Sequence, residues 1–288
     1  MKELILNADD FGFTQGVNEG IILAHRDGVL TSATLMATGP AFEDAVERAK
    51  SNPKLGIGCH LVLTGGIAVA PRKEISTLVD RDGRLPRSLA ALVWRVSSGL
   101  VRTIHIEREL RAQIEKIRGA GIEPTHVDTH KHTHVHPRIM SALGRVAREF
   151  GITRVRNPVE NLRDSWRSTR GGAPGYSSQL PGAVAVRAVT PCLRAISRHY
   201  GLRSPDHFLG LAMTGRLGTA ALCRLIDTVP DGRTEIMVHP GVYDAGLAAS
   251  GSRLRMERQT ELEGLLAPET RRAIVERGIG LITYRELN

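Results

Sequence analysis

The feature that most constrains this chain is the order of its apolar segments. Short β-branched runs alternate with longer stretches of helical period for most of its length. The runs fall at residues 3–8, 31–37, 55–64, 125–129, 153–156, 207–212, 234–239 and 280–284. Between them, residues 15–26, 41–51, 103–120, 137–150, 219–228 and 257–277 repeat their apolar positions every three or four residues. Such alternation argues for parallel strands, because each helix returns the chain to the same edge of the sheet. Seven or eight units in 288 residues is the scale of a barrel. The expected fold is therefore α/β, an irregular (β/α) barrel forming a single domain over residues 1–288. Two irregular stretches, about 65–88 and 157–205, are expected as insertions beside the carboxyl ends of the strands.

Composition excludes several classes. With 41% hydrophobic and 24% charged residues the chain is neither disordered nor fibrous. No run approaches the 18 or so uncharged apolar residues of a membrane span. The start, Lys2-Glu3-Leu4-Ile5-Leu6 running straight into Asn7, is too short an apolar stretch for a secretion signal. Three scattered cysteines, Cys59, Cys192 and Cys223, make no disulfide framework, so a reducing cytoplasm is the expected compartment.

A net charge of +9 first suggests a nucleic-acid partner. The charge is local, however: residues 151–205 hold nine Arg and two acids, a balance of +7. No helix-turn-helix, zinc-finger or RNA-sheet signature accompanies it, and aromatics for base stacking are few, so no nucleic-acid partner is expected. Arg187, Arg194 and Arg198 would share a helical face beside Val184, Val186, Val189, Leu193 and Ile196, with Pro191 interrupting. That pattern fits either a solvated Arg face or a segment touching a membrane surface. Residues 89–101 form a second apolar patch that could admit a lipid.

Chemistry-bearing residues collect where α/β folds place their sites, at the carboxyl ends of strands. The first run ends in Asn7-Ala8-Asp9-Asp10-Phe11-Gly12. Two adjacent carboxylates after an apolar strand need a cation or a partner, whereas capping the next helix would need only one. His60 lies in an otherwise apolar third run; alone, it reads as a hydrogen-bonded core histidine as readily as a ligand. Five of eleven histidines crowd one segment, at His126, His130, His132, His134 and His136. Alternate placement would line one face of an extended chain. A single ion cannot use all five, so the rest orient ligands, touch substrate or lie outside. Asp128 suits the acceptance of a ligating imidazole's second N–H. His239 ends another run before Pro240-Gly241. Two histidines and one carboxylate around an ion with an open position make a hydrolytic metal site, leaving a carboxylate as base and a histidine as acid.

These pieces, with Thr31-Ser32-Ala33-Thr34-Leu35-Met36, Gly58-Cys59-His60-Leu61 and His239-Pro240-Gly241, resemble the YdjC/ChbG carbohydrate deacetylase family over nearly the whole chain. The resemblance implies the irregular barrel of the deacetylase/NodB-like superfamily and metal-dependent removal of acetyl groups from N-acetylated amino sugars. Carried over by position, Asp10, His60 and His130 match metal ligands, Asp9 the general base and His239 a general acid. Asp128, His132 and His134 are left to support ligands or touch substrate. The ion is one divalent cation; two imidazoles favour Zn²⁺, and family usage admits Mg²⁺.

Within the family, residues 130–137, 206–212 and 234–240 are similar to the branch associated with hopanoid biosynthesis. That similarity implies an N-acetylglucosaminyl hopanoid as substrate; a peripheral contact with the inner face of a membrane, from the basic and apolar segments, and a homodimer are the further partners to be tested. Thr129 and Thr133 depart from the patterns of the family and the branch. A deacetylase of soluble chitooligosaccharides is the alternative. A metallo-phosphoesterase or amidohydrolase on a similar barrel is more distant, since those open with a His-x-His pair. A glycosidase fits poorly, because neighbouring Asp9 and Asp10 cannot flank a sugar from opposite sides.

Overall fold

The computed structural model describes residues 1–160 and 189–287. Its centre is a curled, all-parallel sheet. The strands are β1 (Lys2–Phe11), β2 (Ser32–Leu35), β3 (Gly56–Leu61), β4 (Val127–Thr129), β5 (His207–Leu209), β6 (Gly232–Val238) and β7 (Ile279–Leu281). Their order is β4-β3-β2-β1-β6-β5, with β7 joined to β1. β1 is the hub. It pairs with β6 from Lys2 to Ala8 along one edge. Along the other edge Lys2, Glu3 and Leu4 take β7, while Asn7, Ala8 and Phe11 take β2. Past β4 the curl continues through single bridges, Val127 to Val155 and Arg154 to Arg203. The result is an α/β fold around an irregular half-barrel.

β1 can be central because it is apolar on both faces: Leu4, Ile5, Leu6 and Ala8 are all fully buried. Helices then cover the sheet with their apolar stripes. Helix Gln15–Arg26, capped by the Thr14 hydroxyl, buries Val17, Ile21 and Ala24. Helix Thr103–Gly119 buries Ile106, Leu110, Ile114 and Ile117. Its polar residues fasten the loops above the sheet. Gln113 donates to and accepts from the backbone of Val62, at 2.7 and 2.8 Å. Glu109 accepts the Val69 and Ala70 N–H groups at 2.9 Å each, anchoring the stretch after β3.

Two elements differ from expectation. Residues 153–156 are bridges rather than a strand with a full ladder. The long helix expected over 257–277 is two, Met256–Leu266 and Pro268–Glu276. Pro268 has no N–H to continue the first helix, and its fixed φ suits the first position of the second.

The basic segment is described in part. Residues 189–200, Pro191 among them, are helical. Leu193 is buried, Val189 and Ile196 pack against the core, and Arg194 and Arg198 are exposed. Arg187, Val184 and Val186 lie outside the described residues. Among those described, no helix is long and apolar enough to cross a membrane.

Candidate metal centre

The carboxyl end of β1 is irregular where it carries the two aspartates. Its pairing with β2 slips between Ala8 and Phe11, and Asp10 adopts φ +68°. This left-handed conformation strains a residue with a Cβ and is found chiefly where surrounding contacts enforce it. Here they do: Asn18 accepts the Gly12 N–H at 2.6 Å and donates to the Ala41 carbonyl at 3.0 Å. Neither aspartate caps the following helix, since Thr14 does so.

Asp10, His60 and His130 bring one ligand atom each to a common point. Asp10 Oδ1 lies 3.4 Å from His60 Nε2 and 3.2 Å from His130 Nδ1, and the two nitrogens are 3.2 Å apart. A tetrahedral ion with bonds of about 2.0–2.1 Å separates its ligand atoms by about 3.3 Å, so this triangle fits. His60 is oriented from behind: its Nδ1 is 2.7 Å from Asp128 Oδ1, which leaves Nε2 to offer a lone pair toward Asp10. A second grouping, Asp9, His60 and Asp128, is also close enough to hold an ion. There, however, the Arg156 guanidinium already contacts both carboxylates, and two cations would compete for them.

Arg156 organises the carboxylates beneath the triangle. It is essentially fully buried and holds Asp9 through both oxygens, at 2.8 and 2.6 Å. It also reaches Asp128 Oδ2 at 2.6 Å and Glu235 Oε1 at 2.9 Å. Glu235 is completed by the Tyr284 hydroxyl at 2.6 Å. Burial raises the pKa of Asp9, but the Arg156 charge, the nearby His60 and the hydrogen bonds from Arg156 together leave that carboxyl below its usual value. Burial likewise acts against ionised Asp10, yet Arg258 and the bonds from His130 and His60 hold it well below the carboxylate range. Among the described residues, Asp9, Asp10, Asp128 and Glu235 thus face two guanidinium groups, Arg156 and Arg258. A divalent cation at the triangle would cancel the remaining charge. Burial opposes a proton on His60, but Asp128, Asp9 and Asp10 raise its pKa well above normal, so a metal and a proton compete for this ring.

Above the triangle lies a cleft of about 1500 Å³. Asp9, Asp10, His130, His132, His239 and Arg258 are in its lining, as are Ile67, Arg84 and Arg87 from the stretch after β3. His239, at the end of β6, places Nε2 3.9 Å from Asp9 Oδ2. Its backbone N–H is held by Glu261, which also accepts from Gly215 at 2.6 Å. Burial lowers the His239 pKa to about 4 and raises that of Glu261 to about 7.

The family profile described as YdjC-like protein matches residues 3–276. The chain belongs to the YdjC-like family. A relative named carbohydrate deacetylase, from Geobacillus stearothermophilus, is 37% identical over 283 residues, 98% of this chain and 96% of that protein. A relative of the same name from Mus musculus is 31% identical, covering 99% of this chain and 94% of its own length. A crystal structure from Enterococcus faecalis V583, of a protein given the working description cellobiose-phosphate cleavage protein, superposes with a TM-score of 0.80 at 30% identity. That alignment covers 99% of this chain and 98% of the other.

In this YdjC-like protein the histidine segment does not stay extended. β4 ends at Thr129, and residues 130–135 turn through a short 3-10 stretch with Lys131 and His132 at φ +54° and +52°. The expected single histidine face is therefore dispersed. His130 joins the triangle and His132 enters the cleft, its Nδ1 without a partner among the described residues. His134 turns inward instead, with Nδ1 2.6 Å from the Thr129 hydroxyl and Nε2 3.1 Å from the Arg156 carbonyl. It braces Arg156 and does not line the cleft. His136 caps helix Pro137–Glu149, and His126 stacks on Tyr284 with ring centres 3.6 Å apart. Cys59 is buried in the core, its pKa pushed far up by burial.

Sequence reasoning missed Arg156, Glu235, Tyr284, Arg258 and Glu261. Glu235 carried a signal, a carboxylate within the apolar run at 234–239. Arg156 ends the run at 153–156 and otherwise reads in the sequence as one arginine of the basic segment.

Proposed function

We propose that this chain is a metal-dependent hydrolase that removes the acetyl group from an N-acetylated amino sugar. The observation that carries the reading is the triangle of Asp10 Oδ1, His60 Nε2 and His130 Nδ1, with sides of 3.2–3.4 Å, on the lining of a large cleft flanked by Asp9 and His239. The names of the relatives support the same chemistry. Asp10, His60 and His130 are the residues that would hold a divalent cation, and two imidazoles with one carboxylate suit Zn²⁺. When bound, such an ion acidifies water and polarises an acyl oxygen.

The protein's own groups then divide the proton work. Arg156 keeps Asp9 ionised, the form that accepts a proton from the attacking water. His239 is neutral at pH 7, so it can protonate the leaving amine only after gaining a proton itself. Asp9, 3.9 Å away, is the neighbouring group that acquires one. His239 Nδ1, His132 Nδ1 and Arg258 Nη1 are buried nitrogens without partners among the described residues, all on side chains lining the cleft. Unpaired buried polar groups cost about 1–3 kcal/mol each, and a polyhydroxylated ligand offers them oxygens.

For the rest of the substrate we favour a lipid carrier, the N-acetylglucosaminyl hopanoid. The cleft exceeds the ~300–1000 Å³ of ordinary small-molecule pockets. Phe13, Met36, Leu89 and Val93 are in its lining, and the same helix, Leu89–Ser97, exposes Trp94. Acetate release from N-acetylglucosaminyl hopanoid and from chitobiose, each with and without a chelator, tests both levels. Chelator-sensitive release from the lipid alone supports the full reading. Release from chitobiose alone removes the lipid, and inertness of the metal-loaded protein on both substrates removes the deacetylase.

A further inference from the structure

We propose that Arg258 is a positioning residue that confines Asp10 to ligation through one oxygen, an inference resting on the metal-centre reading above. The two oxygens of Asp10 are already divided. Oδ1 faces His60 and His130 at 3.4 and 3.2 Å, while Oδ2 accepts a hydrogen bond from Arg258 Nη2. Arg258 is 2% exposed and cannot easily move aside. Its Nε is 3.4 Å from the Leu254 carbonyl, its own carbonyl accepts the Gly241 N–H at 3.1 Å, and its guanidinium lies 5.7 Å from the centre of the Phe13 ring. The rest of its hydrogen-bonding capacity is little used: Nη1 has no partner among the described residues.

The division matters because a free carboxylate can bind an ion through both oxygens. Chelation by Asp10 together with two imidazoles would fill four positions, and a tetrahedral ion would have none left for water. A charge-assisted hydrogen bond on Oδ2 opposes the rotation that chelation requires. It also places a fixed positive charge beside the centre, which weakens metal binding. Arg258 on this account gives up metal affinity and keeps a coordination position open.

X-ray absorption on the Zn²⁺-loaded wild-type protein reads this directly. Single-oxygen ligation gives two imidazoles and light oxygen ligands without the short metal–carbon distance of a chelating carboxylate. Appearance of that distance overturns the inference while leaving the metal centre intact. Absence of imidazole scattering overturns the metal-centre reading itself. In the Co²⁺-loaded form, Arg258→Met should alter the visible bands, as the second carboxylate oxygen takes the place of water, and tighten metal binding several-fold in a chelator competition. Arg258→Lys, which retains a charged donor, should restore the wild-type spectrum. Identical spectra and affinities in folded Arg258→Met and wild type overturn the proposal, and the absorption measurement decides if that variant does not fold.

Discussion

Arg156 grips Asp9 through both carboxylate oxygens, Nη1 to Oδ2 at 2.8 Å and Nη2 to Oδ1 at 2.6 Å, deep beneath the cleft. The same guanidinium touches Asp128 and Glu235, so its removal would strand three buried carboxylates. Breaking one partner out of a buried ion pair costs about 3–5 kcal/mol, chiefly because the remaining charge is unpaired. Arg156→Met should therefore lower stability by at least that much, read as a shift in the urea midpoint at unchanged m. An unshifted midpoint would mean that the carboxylates find another partner.

Asp9 and Asp10 are sequence neighbours with different surroundings, which predicts different mutant behaviour. Asp10 contributes Oδ1 to the triangle, so Asp10→Ala should lose both bound metal and turnover. Asp9 points to Arg156 and His239 instead, so Asp9→Asn should keep the metal and lose about 10²–10⁴-fold in kcat. Metal content after dialysis, measured beside acetate release, separates the two. Equal metal loss in both variants would contradict the division.

Asp128 touches the triangle only through His60. Its Oδ1 lies 2.7 Å from Nδ1, which fixes the tautomer and the ring plane. Such supporting carboxylates are worth about 10–100-fold in metal affinity, and Asp128→Asn should weaken binding by that range in a chelator competition. Wild-type affinity in this variant would relegate Asp128 to balancing the charge of Arg156.

What the sequence disclosed follows from what is local. The apolar runs, Asp9-Asp10 at the end of β1, His60 within β3 and His239 after β6 could be placed at strand ends, because strand periodicity and ends are encoded by near neighbours. The histidine segment could not, because its path depends on a left-handed turn at Lys131 and His132 that alternation does not signal. Arg156 and Arg258 were hidden for another reason. Each meets its aspartate across more than a hundred residues, and a buried arginine looks like a solvated one until the fold surrounds it. Helical period on both sides of Pro268 makes residues 257–277 read as one helix where the chain forms two.

His126 yields a prediction about acid. Burial against Tyr284 lowers its pKa to about 3 from the usual 6.5, and Nε2 has no partner among the described residues. The native value is below the unfolded one, so the unfolded chain binds the proton first as pH falls. The stability this creates is fully present above about pH 6.5 and is lost progressively down to about pH 3. One such group contributes a slope of about 1.4 kcal/mol per pH unit. His132, His134 and His239, with values near 3, 4 and 4, act in the same direction. These four histidines should therefore draw stability down from near pH 6, against the opposing contribution of Glu261, whose value near 7 favours the folded state as pH falls toward 4.5. His126→Leu removes one proton from that linkage without touching the cleft, so its stability should fall less steeply between pH 6 and 4. Urea midpoints across that interval measure the difference. Parallel curves for variant and wild type would mean that His126 is charged in the native state, or that its ring reaches water.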